Sequence, residues 1–277
     1  MSDYNININK HYGSENIRAR ILKALLDSGK ELNNITPDDL ASFDEFHTGG
    51  KESTRELAEL AGLKPGMKVL DIGSGVGGPA RTLYKEYNCY VAGIDLTKEF
   101  CLAAAKLNEM VGLSSGINFI YGNALLLPLM NESFDCIWSQ NTIMNINKKS
   151  LLFNEINRVL VSGGIFAFET VLAGENPGMN YPSFWAHSAE INFLTPPEEI
   201  KKMLKECGFR ELKWMDQTEN ISRRSKQRAD NIRLNPEKPV GRSIIVARDV
   251  EKKIINSALN FERKHVVSVS AVYQKIK

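Results

Sequence analysis

The chain has 277 residues, 43% hydrophobic and 25% charged, which excludes a disordered, collagen-like or coiled-coil polymer and predicts one large α/β core with attachments. Lys and Arg number 35 against 33 Asp and Glu, so the net charge of +2 gives no whole-protein case for binding nucleic acid or an anionic membrane. Cys89, Cys101, Cys136 and Cys207 stand apart, with no CxxC pair or Cys/His cluster, so neither a metal site nor a disulfide framework is expected.

The first residues lack a basic stretch followed by an apolar run, and no segment approaches the ~18 apolar residues of a membrane span. Cytoplasmic residence is the expectation. Residues 1–62 read as an N-terminal helical lid; within it, Ser14 is a helix cap, Ile17, Ile21 and Leu25 share one face, and Gly29 is the stop.

From Lys68 onward, short apolar runs alternate with helical patterns, the sign of βαβ units and a mostly parallel sheet, so residues 63–277 form the ligand-binding domain. Strands are predicted at Val69 to Gly73, Cys89 to Leu96, Ile117 to Gly122, Phe134 to Ser139 and the run from Gly164 to Val171. Helices start near Pro79, at Thr97 as cap, and around Leu151. Thr195, Pro196, Pro197 and Glu198 read as cap, N1 proline and capping box of a helix ending at Gly208. Two alternating strands close the chain, and residues 172–194 and 220–264 are cover segments. The second carries 12 Lys/Arg against 5 Asp/Glu, whereas residues 1–219 carry 21 against 28, so the charge is segregated.

Between the first strand and its helix lies Asp71-Ile72-Gly73-Ser74-Gly75-Val76-Gly77-Gly78. Glycines there admit positive φ and remove the Cβ that would keep a nucleotide-like ligand off the backbone. A dinucleotide such as NAD would use the same loop, but the Asp71 carboxylate repels a diphosphate and suits a cationic amino group. Asp95, ending the second strand, accepts ribose hydroxyls in either case. Asn123 offers an amide to an adenine edge, with Ala124 and Leu125 as an apolar wall, and Trp138, Ser139, Gln140 and Asn141 end the fourth strand in the crevice.

VLDIGSGVGG, the acid of AGIDL, GNA, FDCIWSQ and RVLVSGG, in this order, resemble the motifs of class I S-adenosylmethionine-dependent methyltransferases over residues 43–218. FDEFHTGGKEST (Phe43 to Thr54), GGPAR and WSQ are similar to the small-molecule branch with glycine/sarcosine/dimethylglycine N-methyltransferases; ubiquinone, tocopherol and phosphoethanolamine enzymes are wider relatives. The resemblance implies a doubly wound, seven-stranded Rossmann-like sheet with an antiparallel last strand. It implies S-adenosylmethionine as cofactor, with Asp71, Gly73, Ser74 and Gly75 along the methionine part, Asp95 and Leu96 at the ribose, Asn123 and Ala124 at the adenine, and Gln140 near the sulfonium. Asn123 stands where the family more often has aspartate.

The expected activity is methyl transfer to a small molecule, with a glycine-like amine as leading acceptor and a quinone-like or phenolic ring, methylated on carbon or oxygen, as second. A nucleotide- or NAD-binding module, or a cofactor-binding protein without turnover, is the alternative of another class. Candidate catalytic residues are Tyr12, folding over the acceptor, and His47, in a Gly49-Gly50 turn that approaches a ligand carboxylate or merely leads into a helix at Ser53. Asn141 and Asn145 are the neutral polar candidates; a histidine at the position of Asn145 serves the phosphoethanolamine branch, and its absence counts against that substrate. Trp185 and His187, with Phe184, are candidates for the acceptor wall, or for a packed cover carrying a surface histidine. Glu169 reads as a strand carboxylate facing an edge. No aromatic residue lies between Ile221 and Leu259 to stack a base, so RNA methylation is not expected despite the basic run around Arg223, Arg224, Lys226 and Arg228.

Overall fold

A computed structural model describes residues 16–45, 47–234 and 248–276. Tyr12 and Ser14 lie outside the described residues. Seven strands, β1 (Lys68–Ile72), β2 (Tyr90–Asp95), β3 (Ile117–Tyr121), β4 (Phe134–Gln140), β5 (Leu160–Ala173), β6 (Phe209–Asp216) and β7 (Val266–Lys275), form one sheet in the order β3-β2-β1-β4-β5-β7-β6. The first five pair in parallel, and β7 runs antiparallel between β5 and β6. This is the expected fold class. The two last strands are joined by helices rather than a tight hairpin, because the basic insertion lies between them.

The two-residue period of the strands divides the core. Leu70, Ile72, Ile137, Phe166 and Phe168 face one side and pack with Leu152, Phe153 and Ile156 of α6 (Lys149–Val159) and Ile200 and Leu204 of α7 (Pro197–Glu206). Val69, Val91, Cys136, Trp138 and Ala167 face the other, against Leu57 and Ala58 of α3 (Lys51–Ala61) and Ala80 and Leu83 of α4 (Gly78–Tyr87). Each such aliphatic side chain contributes roughly 1.5–3 kcal/mol by leaving water, so registry is strongly specified.

The N-terminal segment is not uniform. Helix α1 (Ile17–Asp27) sets Ile17, Ile21 and Leu25 against Phe100, Ala103 and Leu107 of α5 (Lys98–Met110). Helix α2 (Pro37–Asp44), capped by a Thr36–Asp39 box, adds Leu40 and Phe43 and reaches Val76 of the glycine loop. Helix α3 packs on β5 and α4 as part of the sheet's helical layer. The insertion forms α8 (Thr218–Leu234) and α9 (Val250–Glu262), packed on each other and on β7.

One helix start differs from the sequence reading, and one expected cap holds its place without its side-chain bond. The α7 cap position is Pro196 rather than Thr195, whose hydroxyl donates instead to Phe193 O, so the helix begins at Pro197. At α5, Thr97 holds the cap position without a side-chain bond, and its N–H is taken by Asp95 Oδ1.

Candidate active site

At β1 the chain order reverses, with β2 on one side and β4 on the other, and a crevice opens beyond the carboxyl ends of these strands. Gly73 and Ser74 donate their N–H groups to Ile94 O at 2.8 and 3.2 Å, folding the glycine loop over the end of β2. Gly73 sits at φ 77°, and a Cβ there would collide with the Thr142 side chain. Asp95 Oδ2 accepts from Gly75 N at 2.9 Å while Oδ1 accepts from Thr97 N at 2.8 Å, so the carboxylate is held at the lip of the loop.

The cavity so formed has an empty volume of about 1590 Å³ including its open mouth. Gly73, Ser74, Gly75, Asp95, Leu96, Asn123, Ala124 and Gln140 all line it, as do His47, Asn141, Asn145 and Trp185. Residues as far apart as 47 and 185 are thereby brought to one chamber. Asp71 is not in the wall. It is 2% exposed behind the loop, its Oδ2 has no partner among the described residues, and burial with the nearby charges of Glu45 and Asp95 pushes its carboxyl up to about 8.

His187 does not line the cavity. Ser183 and Ala186 close a tight turn through Ser183 N to Ala186 O, 2.7 Å, and Ala186 N to Ser183 Oγ, 3.0 Å, which puts Phe184 and Trp185 in the wall and leaves His187 exposed. Asn145 holds this cover by donating Nδ2 to Trp185 O at 2.7 Å, and Trp185 donates its indole N–H to Asn192 Oδ1 at 2.8 Å. Asn123 uses its own oxygen to accept Leu125 N at 2.9 Å, an Asx turn that leaves its N–H donors for a ligand.

Several site residues carry no local sequence signal. Glu169 is 3% exposed rather than edge-facing: it accepts from Ser53 Oγ and lies 3.9 Å from His47 Nδ1. Glu45 accepts from Thr82 Oγ1 at 2.7 Å and Thr54 Oγ1 at 2.9 Å, and meets His47 Nε2 at 2.7 Å. These bonds to Glu45 outweigh its burial and lower its carboxyl from the ordinary range. The Gly49-Gly50 turn leads into α3: Gly50 N bonds His47 O, and a Cβ on Gly49 would strike Ser53. Ser225 and Arg228 of α8, with Ile254, Ser257 and Phe261 of α9, complete the wall, so the basic insertion does face the cavity.

A metal or thiol chemistry has no support in this wall. Among the described residues no group of three or more His, Cys, Asp or Glu side chains is arranged to hold a metal ion. Burial pushes the Cys89 and Cys101 thiols up to about 11 and about 12, away from thiolate reactivity. Among the described residues no helix is long and apolar enough to cross a membrane.

The wall fits an adenosyl amino acid. Ser74 Oγ and Asn141 Oδ1 are buried in it without partners among the described residues, Asp95 stands at the lip of the loop, and Ile94, Leu96, Phe100 and Ala124 give a flat ring an apolar slot. Residues 70–168 match the family model described as a methyltransferase domain. With the sheet order and the glycine loop, this places the chain among the class I S-adenosylmethionine-dependent methyltransferases.

Over 192 residues the chain is 30% identical to phosphoethanolamine N-methyltransferase 1 of Arabidopsis thaliana, covering 69% of this chain and 38% of that protein. It is 24% identical over 178 residues to the glycine/sarcosine/dimethylglycine N-methyltransferase of Actinopolyspora halophila, covering 64% of this chain and 32% of that one. The chain thus spans less than two fifths of the length of either relative. In structure it is similar to the geranyl diphosphate C-methyltransferase of Streptomyces coelicolor A3(2), with a TM-score of 0.73, 17% identity and 99% of both chains covered.

Proposed function

We propose that this protein transfers the methyl group of S-adenosylmethionine to a small molecule, with an amine carrying an acidic group as the leading acceptor. The cavity carries this reading: beside the residues that fit the cofactor, its wall includes Met144, Asn145, Phe184, Trp185, Arg228 and Phe261. S-adenosylmethionine supplies an electrophilic methyl on sulfur. The residues of the chain have three tasks: to hold the adenosyl part, to exclude water, and to align the acceptor with that methyl.

Gly73, Ser74, Gly75, Asp95 and Asn123 would hold the cofactor, and Asn141 and Gln140 line the same cavity. Buried Glu45 and Glu169, with half-buried Asp95, make this region electronegative, and aromatic walls stabilise a methylammonium through the ring quadrupole. Arg228 suits a carboxylate or phosphate on the same acceptor. Both curated relatives are named for N-methylation of an amine that bears such a group, which supports the order of acceptors. The second reading, C- or O-methylation of a flat ring, draws on Phe184, Trp185 and Phe261.

Transfer of labelled methyl from S-adenosylmethionine into a metabolite extract, followed by isolation of the labelled product, tests the proposal directly. Calorimetric binding of S-adenosylhomocysteine supports it. Binding of NAD with no affinity for S-adenosylhomocysteine would sink it.

A further inference from the structure

Four side chains that meet only in the folded protein determine which nitrogen of His47 carries its proton. The indole N–H of Trp138 can only donate, and it bonds Gln140 Oε1 at 2.9 Å. That contact orients the Gln140 amide, whose oxygen also lies 3.1 Å from Thr54 Oγ1. Gln140 Nε2 faces His47 Nδ1 at 3.2 Å and Thr48 O lies 3.3 Å from the same nitrogen, so Nδ1 accepts from the amide in the neutral ring and donates to the carbonyl once it carries a proton. The ring proton then sits on Nε2, 2.7 Å from the Glu45 carboxylate. All four side chains are buried, and His47 and Gln140 both line the cavity.

We infer that His47, held as the Nε2–H tautomer by Trp138, Gln140 and Glu45, is the proton acceptor of the methyl transfer, which directs the enzyme to acceptors that lose a proton when methylated. The inference rests on the functional reading above. The acceptor nitrogen, as free amine, forms its bond to the methyl carbon while the carbon–sulfur bond breaks with its electron pair left on sulfur. The ammonium so made passes one proton to Nδ1. The imidazolium lies between two carboxylates: Glu45 on Nε2, and Glu169, whose Oε1 is 3.9 Å from Nδ1. A hydroxyl acceptor would give its proton to the same nitrogen.

This arrangement resembles the carboxylate–histidine pairs that fix a tautomer for general-base work. Glu45, Trp138 and Gln140 act through His47 and are positioning residues. The titratable groups around the ring are Glu45 before α3, Glu169 on β5 and Asp71 on β1; Arg224 of α8 lies beside Gly49 in the same turn.

The full chain labelled with 15N-histidine and saturated with S-adenosylhomocysteine should show, for neutral His47, a pyridine-like Nδ1 and a pyrrole-like Nε2. Trp138→Phe, which frees the Gln140 amide to turn over, should mix the tautomers. A proton on Nδ1 in the neutral ring would overturn the assignment, and this measurement needs no acceptor. In the second arm, labelled methyl transfer to sarcosine, phosphoethanolamine and catechol is followed against pH at saturating S-adenosylmethionine. His47→Gln should lower kcat by ~10²–10⁴ and change the acid limb of the profile to the one set by the acceptor's own protonation. A wild-type rate that survives His47→Gln with an unchanged pH profile would overturn this assignment and leave the methyltransferase reading intact. Failure of the wild type to transfer methyl to any of the three acceptors or into a metabolite extract would overturn both.

Discussion

Arg81 donates through Nε and Nη2 to one oxygen of Asp44, at 3.0 and 2.8 Å, and both side chains are buried between α4 and the end of α2. The same guanidinium reaches Val76 O in the glycine loop and Asn108 Oδ1 on α5. Loss of one partner leaves a buried charge uncompensated. Arg81→Met should therefore destabilise the fold by about 3–5 kcal/mol in denaturant unfolding, and Arg81→Met with Asp44→Leu should recover most of it.

Asp71 links stability to pH. Burial foremost, then Glu45 and Asp95, puts its folded carboxyl at about 8, against ~4 in an unfolded chain. Between those values the folded protein keeps a proton that the unfolded chain releases, so this contribution is greatest below about pH 4, declines as pH rises toward 8, and is level above. The Tm of the ligand-free protein should fall across this window, and Asp71→Asn should flatten the fall. Parallel curves for the two proteins would refute the assignment.

Cofactor affinity should depend on Asp95 and on the bare Cα of Gly73 for separate reasons. Asp95→Ala removes a charged acceptor from the lip of the loop and should weaken S-adenosylhomocysteine binding by ~10–100-fold. Gly73→Ala keeps every donor but drives a methyl into Thr142 and penalises φ 77°. Calorimetry on Gly73→Ala with Thr142→Gly should recover part of the affinity, since the smaller residue removes the collision and leaves the backbone penalty.

Arg228 is the cation that the basic insertion places in the cavity wall. Arg228→Met keeps the length of the side chain and removes the charge. It should raise KM by roughly tenfold for acceptors bearing a carboxylate or phosphate, leave neutral acceptors unchanged, and leave S-adenosylhomocysteine affinity unchanged in calorimetry. Equal effects on charged and neutral acceptors would show that Arg228 acts through packing.

The residues read for a cofactor were legible as lining the cavity because they end their own strands or follow them within three positions. Asp95 ends β2, Asn123 follows β3, and Gln140 ends β4, so strand alternation located them before any contact was known. The acceptor half was not. His187 and Arg228 are both basic residues in cover segments, and only the turn at Ser183–Ala186 and the packing of α8 on α9 decide that Arg228 reaches the cavity and His187 does not. Glu169 shows the same limit, because its partner Ser53 is 116 residues away.

The sequence by itself determined the class of fold, the glycine loop and the place of Asp95 at the end of β2, since each follows from periodicity and turn chemistry within a few residues. It also determined the split between an acidic body and a basic insertion. Only the tertiary structure decided what that split means. Packing α8 and α9 over the carboxyl end of the sheet brings Arg228 of that charge run to the wall of the cavity, while Arg223 and Lys226 stay exposed outside it. Folding α3 against β5 makes His47 the centre of a buried carboxylate network. Both depend on contacts between residues distant in the chain, which burial and hydrogen-bond satisfaction select and which local pattern does not encode.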